Sequence, residues 1–356
     1  MQRTRTIIVA SVMAVMLAVT AALLPTPYVI WSPGEALAFN GDSPLAITIK
    51  GAATYPTSTD IRYTEVTSSA AQARLVKVLL AHQSANEEAL PAEWVQASPE
   101  PQMINPGKEA DTSATATTTN AMVAALREAR IQVQPMPMVV TISAGGPSAG
   151  VLEVGDLVAM VDGQSVSSPE EVRTAISEGF ASEKRKVGDA VVIDYIRNNV
   201  ALSATITTKE ASASNNAPGT PGIGVTFTQG YQHQPQLEFA DVDDGDGEDD
   251  EVTLLGTSEG LMLALAIYDQ LTVDSLAGER MIAGAGVIDI NGQVTAVDGI
   301  KQRIAAAQQA GASLMIVPRE NCEAIGQSAG IPLLAVENLH EAVTGLSADL
   351  SELKGC

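Results

Sequence analysis

The longest apolar run in this chain comes first. Ile7 to Leu24 carries no charge over eighteen residues and stops against Pro25 and Pro27. At about 1.5 Å of rise per residue, a helix of that length spans roughly 27 Å, close to a bilayer core. Arg3 and Arg5 precede it, so the spacing predicts a single-pass anchor with a cytoplasmic N-terminus and everything after it outside. A cleaved signal peptide ending at the small residues Val19-Thr20-Ala21 is the alternative. Between Ile47 and Arg130 short β-like runs mix with helical periods over Ser68–Ala81 and Asn120–Arg130. Ser98–Thr119, rich in Pro, Ser, Thr and Ala, predicts a loop.

From Val139 the period changes. Val139–Ile142 and the alternating runs Val191–Arg197 and Ala201–Thr207 predict strands, and Pro169–Ile176 predicts a helix. Lys209–Pro221 has the Ser, Ala, Asn, Pro and Gly composition of a flexible linker. Gly222–Phe227 then predicts the first strand of a last domain. Val252–Leu255 is a short apolar strand, and Leu261–Leu271 is apolar almost all round, the mark of a buried helix. The organisation expected is therefore an anchor over 1–27, a juxtamembrane α/β region over 28–130, a β-rich domain over 131–208, a linker over 209–221 and an α+β domain over 222–356.

The chain has 356 residues, of which 46% are hydrophobic, enough to fill two cores. Its formal charge of -22, from 42 acidic and 20 basic residues, repels nucleic acid and anionic lipid surfaces. Cys322 and Cys356 lack the paired spacings of a zinc or redox site; one bridge outside the cytoplasm or two separate thiols both fit. Asp241–Glu251 is strongly acidic but fails the Ca²⁺-loop pattern, with Asp246 where glycine belongs and Val252 where glutamate belongs. It predicts a solvated loop and no metal, and the sequence implies no cofactor.

Candidate chemistry lies in the turn Gly256-Thr257-Ser258-Glu259-Gly260, placed between an apolar strand and a buried helix. A serine hydroxyl needs a base beside it, and lysine can serve when its pKa is pulled down. Lys301, in Asp298-Gly299-Ile300-Lys301, falls in the first turn of a helix, where the dipole and a dry pocket disfavour the ammonium ion. Free N–H groups at the helix start after Ser258 offer an oxyanion site. Taken singly, Ser258 fits a loop or cap residue and Lys301 a solvated one.

Two resemblances join these pieces. Gly145–Leu152, followed by Gly155-Asp156-Leu157-Val158-Ala159-Met160-Val161-Asp162-Gly163, resembles a PDZ domain, which implies capture of an extended peptide on a sheet edge. Ala283–Ile288, Asp289–Val294, Val297–Lys301 and Leu314–Asn321 resemble the proteolytic domain of Lon-type proteases from about Gly222 to Leu346. With the apolar N-terminal segment, the whole is similar to membrane-anchored, PDZ-containing Lon-like proteases. The resemblance implies an α+β multidomain protein with a transmembrane helix, and serine endopeptidase activity with Ser258 as nucleophile and Lys301 as general base. Protein or peptide substrates and the cell membrane are the implied partners, and self-association into a homo-oligomer stays open.

Thr257 and Glu259 depart from the family turn G-P-S-A-G, and Ala285 stands where a threonine usually helps orient the lysine. A carboxylate at Glu259 close to Lys301 would favour the charged ammonium. A catalytically degenerate PDZ adaptor is therefore the competing expectation. Gly146-Pro147-Ser148-Ala149-Gly150 copies the family turn more literally, but no buried helix follows it. An esterase triad of Ser258, Asp289 or Asp298, and His340 lacks the βα units that fold requires before its nucleophile. His82 and His233 read as surface residues. No G-x-x-x-x-G-K-[ST] phosphate loop occurs, so cleavage without ATP, of flexible or unfolded segments, is expected.

Overall fold

A computed structural model describes residues 2–40, 46–69, 72–96, 108–179, 185–211, 219–233, 235–239, 256–326, 330–348 and 355–356; the side chains at 2–8, 18, 96 and 108–114 fall outside that description. The chain forms two compact units: residues 1–130 together with 237–356, and residues 131–236. The segment expected to be a separate juxtamembrane region is thus half of the larger unit.

The chain opens with α1 (Gln2–Ala22), followed by β1 (Tyr28–Ala38), β2 (Ile47–Lys50) and β3 (Asp60–Ser68). Next come α2 (Leu75–Ala81), β4 (Glu88–Pro91), α3 (Ala92–Gln96) and α4 (Lys108–Glu128). The expected transmembrane anchor is not supported: among the described residues no helix is long and apolar enough to cross a membrane. The loop expected up to Thr119 is helical from Lys108 on, while 98–107 lie outside the described residues. Threonine and alanine carry little local preference, and packing decides here: Ala121 to Leu126 are all buried, and α4 lies against a helix near the far end of the chain.

The second unit holds β5 (Gln134–Ile142), β6 (Leu157–Val161), β7 (Gln164–Ser165), α5 (Pro169–Glu178), β8 (Ala190–Arg197) and β9 (Val200–Thr207). It closes with β10 (Lys209–Glu210), β11 (Pro221–Gly222) and β12 (Val225–Gln232). Its sheet runs β12-β5-β6-β8-β9 around Val139, Leu152, Val158, Val172, Ile193 and Ile206. Pro169 at the start of α5, with the Ser168 side chain accepting from the Glu171 N–H, sets that helix where the sequence placed it. Gly222–Phe227, expected to begin the last domain, belongs here instead, because β12 pairs antiparallel with β5 from Val225↔Ile142 to Gln232↔Gln134. The expected linker is pinned at both ends by the β10–β11 pair; 212–218 lie outside the described residues.

The chain then returns to the first unit through β13 (Gln236–Phe239) and α6 (Gly260–Leu271), with 240–255, including the acidic run and the strand expected at Val252–Leu255, outside the described residues. After these come β14 (Met281–Gly284), β15 (Val287–Ile288), β16 (Val294–Thr295), α7 (Ile300–Gln309), β17 (Leu314–Pro318), α8 (Cys322–Ile325), β18 (Leu333–Val336) and α9 (Leu339–Ser347). The main sheet is ordered β18-β17-β14-β3-β1-β4. Strands β18, β17, β14 and β3 run parallel, and β1 and β4 are antiparallel additions. Parallel strands need cover on both faces. Helix α6 is buried from Gly260 to Ile267, and α7 sets Ile300, Ile304 and Ala307 against Ala283, Met315 and Val317. Cys322 and Cys356 form a disulfide with Cα atoms 5.2 Å apart.

Candidate active site

Ser258 lies in a single 3₁₀ turn, Thr257–Glu259, that runs without a break into α6. Its backbone is tied to the strand region beside it: Gly286 N–H donates to the Ser258 carbonyl at 2.7 Å, and Leu261 N–H donates to the Gly286 carbonyl at 2.9 Å. A Cβ on Gly286 would sit 2.9 Å from Leu261 Cδ2, so glycine is what allows this close approach. The serine itself is 3% exposed.

Its hydroxyl is engaged both as donor and as acceptor. Ser258 Oγ donates to Glu259 Oε1 at 2.6 Å, within the range of a charge-assisted bond to a carboxylate. It accepts from Arg303 Nη2 at 2.9 Å. Arg303 Nη1 is 3.8 Å from Glu259 Oε1, and the guanidinium is anchored by Nε to the Asp298 carbonyl at 3.0 Å and by Nη1 to the Thr64 carbonyl. Both charged residues are buried, with Glu259 7% and Arg303 3% exposed, and Glu259 Oε2 has no hydrogen-bond partner among the described residues.

Strand β3 brings further groups. Burial, then the charge of Glu259, pushes the Glu65 carboxyl above its usual range, while Arg303 acts against that shift. Tyr63 is fully buried, its hydroxyl has no hydrogen-bond partner among the described residues, and its pKa rises chiefly through burial, then through Glu65 and Glu259. The N-terminal segment thus lines the serine site directly.

Lys301 is placed otherwise than the dyad requires. It lies in the first turn of α7 but is exposed, and it makes no hydrogen bond or ion pair with Ser258. Helix geometry explains this. Ile300, Arg303, Ile304 and Ala307 form an i, i+3, i+4, i+7 stripe that faces the sheet, and Lys301, about 100° round the axis from Ile300, falls off it. Arg303 occupies the stripe instead. That spacing was present in the sequence and points to Arg303; the contributions of Tyr63, Thr64 and Glu65 had no such signal. Ala285, the position lacking a threonine hydroxyl, is completely buried.

The rival constellations do not assemble. His340 Nδ1 is 2.8 Å from Glu128 Oε1, and its side chain is 74% exposed. Asp289 accepts from the N–H groups of Asn291 and Gln293 in a local turn. Ser148 is buried and donates to the Ile223 carbonyl at 2.8 Å. His82 is exposed, but His233 is half-buried against the Pro235 carbonyl.

Residues 251–343 match the Lon protease (S16) C-terminal proteolytic domain, and residues 120–208 match a PDZ domain. Both domains are present in this chain, and the first supports a serine protease. Over 89 residues the chain is 34% identical to Lon protease 2 of Bacillus subtilis (strain 168), covering 25% of this chain and 16% of that protein. Over 69 residues it is 41% identical to Lon protease of Clostridioides difficile (strain 630), covering 19% of this chain and 8% of that protein. The chain therefore spans less than a fifth of the length of these relatives. A solved PDZ domain of the SdrC-like protein from Listeria monocytogenes is 32% identical, with 26% of this chain and 86% of that one covered at a TM-score of 0.22.

Proposed function

We propose that this chain is an ATP-independent serine endopeptidase in which Ser258 is the nucleophile and Lys301 the general base. The observation that carries this reading is a serine fixed at the start of a buried helix, inside the residues matched to the Lon proteolytic domain. The Lys301 amine takes the Oγ proton as Oγ attacks the peptide carbonyl. The C–N bond then breaks, the proton passes to the leaving amine, and water hydrolyses the acyl-enzyme. An oxyanion donor must be freed from this turn, since the Gly260 N–H donates to the Thr257 carbonyl and the Leu261 N–H to the Gly286 carbonyl. Lys301, exposed on a flexible four-carbon stem, must turn toward the serine for the first step.

Substrate choice is assigned to the PDZ unit. Strand β12 ends its sheet, and beside α5 lies a groove lined by Gly145, Gly146, Arg173, Ile176, Ile223 and Phe227. An extended peptide adding to that edge fits this arrangement. Placement at the outer face of the membrane is supported by Arg3 and Arg5 before the apolar run and by the Cys322–Cys356 bridge, which suits an oxidising compartment.

A second reading, a PDZ peptide-binding adaptor without catalysis, is favoured by the burial and double engagement of Ser258. Casein cleavage by the full chain without ATP separates the two. Loss of cleavage in both Ser258→Ala and Lys301→Ala supports the protease. Peptide binding that survives Ser258→Ala, with no cleavage by any form, supports the adaptor.

A further inference from the structure

We infer that Glu259 and Arg303 form an autoinhibitory clamp on Ser258, and that peptidase activity begins when this pair separates. The inference rests on Ser258 being the nucleophile and names how that site is held off. Three features carry it. The Ser258 proton is committed to Glu259 Oε1 at 2.6 Å, and an Oγ lone pair is committed to Arg303 Nη2 at 2.9 Å. A nucleophile needs that proton directed to a base, and the bond from Arg303 also draws electron density from the oxygen that must attack. Next, Arg303 is held in place from outside the turn, through the carbonyls of Asp298 and Thr64, so the clamp joins α7 and β3 to the serine. Finally, Glu259 Oε2 is buried without a partner among the described residues, which makes the closed arrangement imperfectly satisfied.

The pair also acts on the base. Arginine stays protonated at any accessible pH and cannot replace lysine as proton acceptor. A lysine approaching Ser258 while Glu259 is in place would meet a carboxylate that keeps it charged. The clamp thus silences nucleophile and base together.

The test is the rate at which a fluorophosphonate probe labels Ser258 in the full chain, with mass mapping of the modified residue and casein cleavage measured alongside. Removing one partner alone strands a buried charge, so the main variant replaces both, Glu259→Ala with Arg303→Met, which leaves no unpaired ion. Glu259→Ala alone is the second variant, and thermal melts check that both fold. The expected result is labelling at least tenfold faster than in the unmodified chain for the double variant, a smaller gain for the single one, and faster cleavage that Ser258→Ala abolishes. Labelling of the unmodified chain as fast as either variant overturns the clamp while leaving Ser258 as nucleophile. Slower labelling in folded variants also overturns it and makes Glu259 the acceptor of the serine proton. No labelling of Ser258 in any folded protein overturns both the clamp and the protease reading.

Discussion

Arg303 reaches the Ser258 hydroxyl at 2.9 Å, although Lys301 precedes it by two residues on the same helix. The buried side of α7 thus delivers a permanently charged guanidinium to the serine. The titratable amine is left at the surface.

This geometry predicts an unusual profile for Lys301. An exposed helix position tolerates replacement within about 0.5 kcal/mol, so Lys301→Ala should melt like the unmodified chain. Casein cleavage should nonetheless be lost, and Lys301→Arg should not restore it, because a guanidinium cannot give up its proton. A variant that melts normally and cleaves normally would remove Lys301 from the mechanism.

Gly299 is the second test. It adopts φ +65° at the start of α7, and an added Cβ would lie 2.7 Å from Val66 Cγ2 and 3.3 Å from Trp31 Cε3. Gly299→Ala should cost at least about 1–2 kcal/mol from backbone strain alone, before the clash is relieved. Since relief moves α7 against β1 and β3, chemical denaturation should show lower stability and serine labelling should change with it.

Much of this architecture was legible from pattern. The apolar run Leu261–Leu271 marked α6, the helical period over Pro169–Ile176 marked α5, and the Gly256–Gly260 turn singled out Ser258. What escaped was long-range. Nothing local says that β3 joins the sheet of the C-terminal segment, or that β12 pairs back with β5. The Thr- and Ala-rich start of α4 is neutral until packing selects a helix. The site divides in the same way: the spacing of Ile300, Arg303, Ile304 and Ala307 marks the inner face of α7, while what that face meets, Thr64 on β3 and Ser258, depends on long-range pairing.

The Cys322–Cys356 bridge closes a loop with a sequence separation of 34 residues. Opening it should cost about 2–4 kcal/mol in the chain-entropy picture. Thermal melts with and without reductant measure this, and Cys356→Ser should reproduce the reduced value in non-reducing buffer.

His233 gives a pH signature. Burial lowers its pKa below the usual 6.5, against the opposing pull of its bond to the Pro235 carbonyl. The folded chain therefore binds the His233 proton less readily than the unfolded chain. Its contribution to stability is full above about pH 6.5 and declines as pH falls through the folded value. Glu65 and Asp269, raised by burial, work in the opposite sense. The informative quantity is thus the difference between the unmodified chain and His233→Gln in melts between about pH 7.5 and 5. The decline attributable to His233 should vanish in the variant.

The larger unit is written in two pieces, with residues 131–236 between them. During synthesis, β3 emerges with one edge awaiting β14, a partner more than two hundred residues downstream. Until that partner arrives the edge is open to mispairing with other chains. The surroundings of Ser258 are equally divided, since Thr64 comes from the first piece and Arg303 from the second. A partly made chain therefore cannot assemble the surroundings of this serine until its second piece has been added.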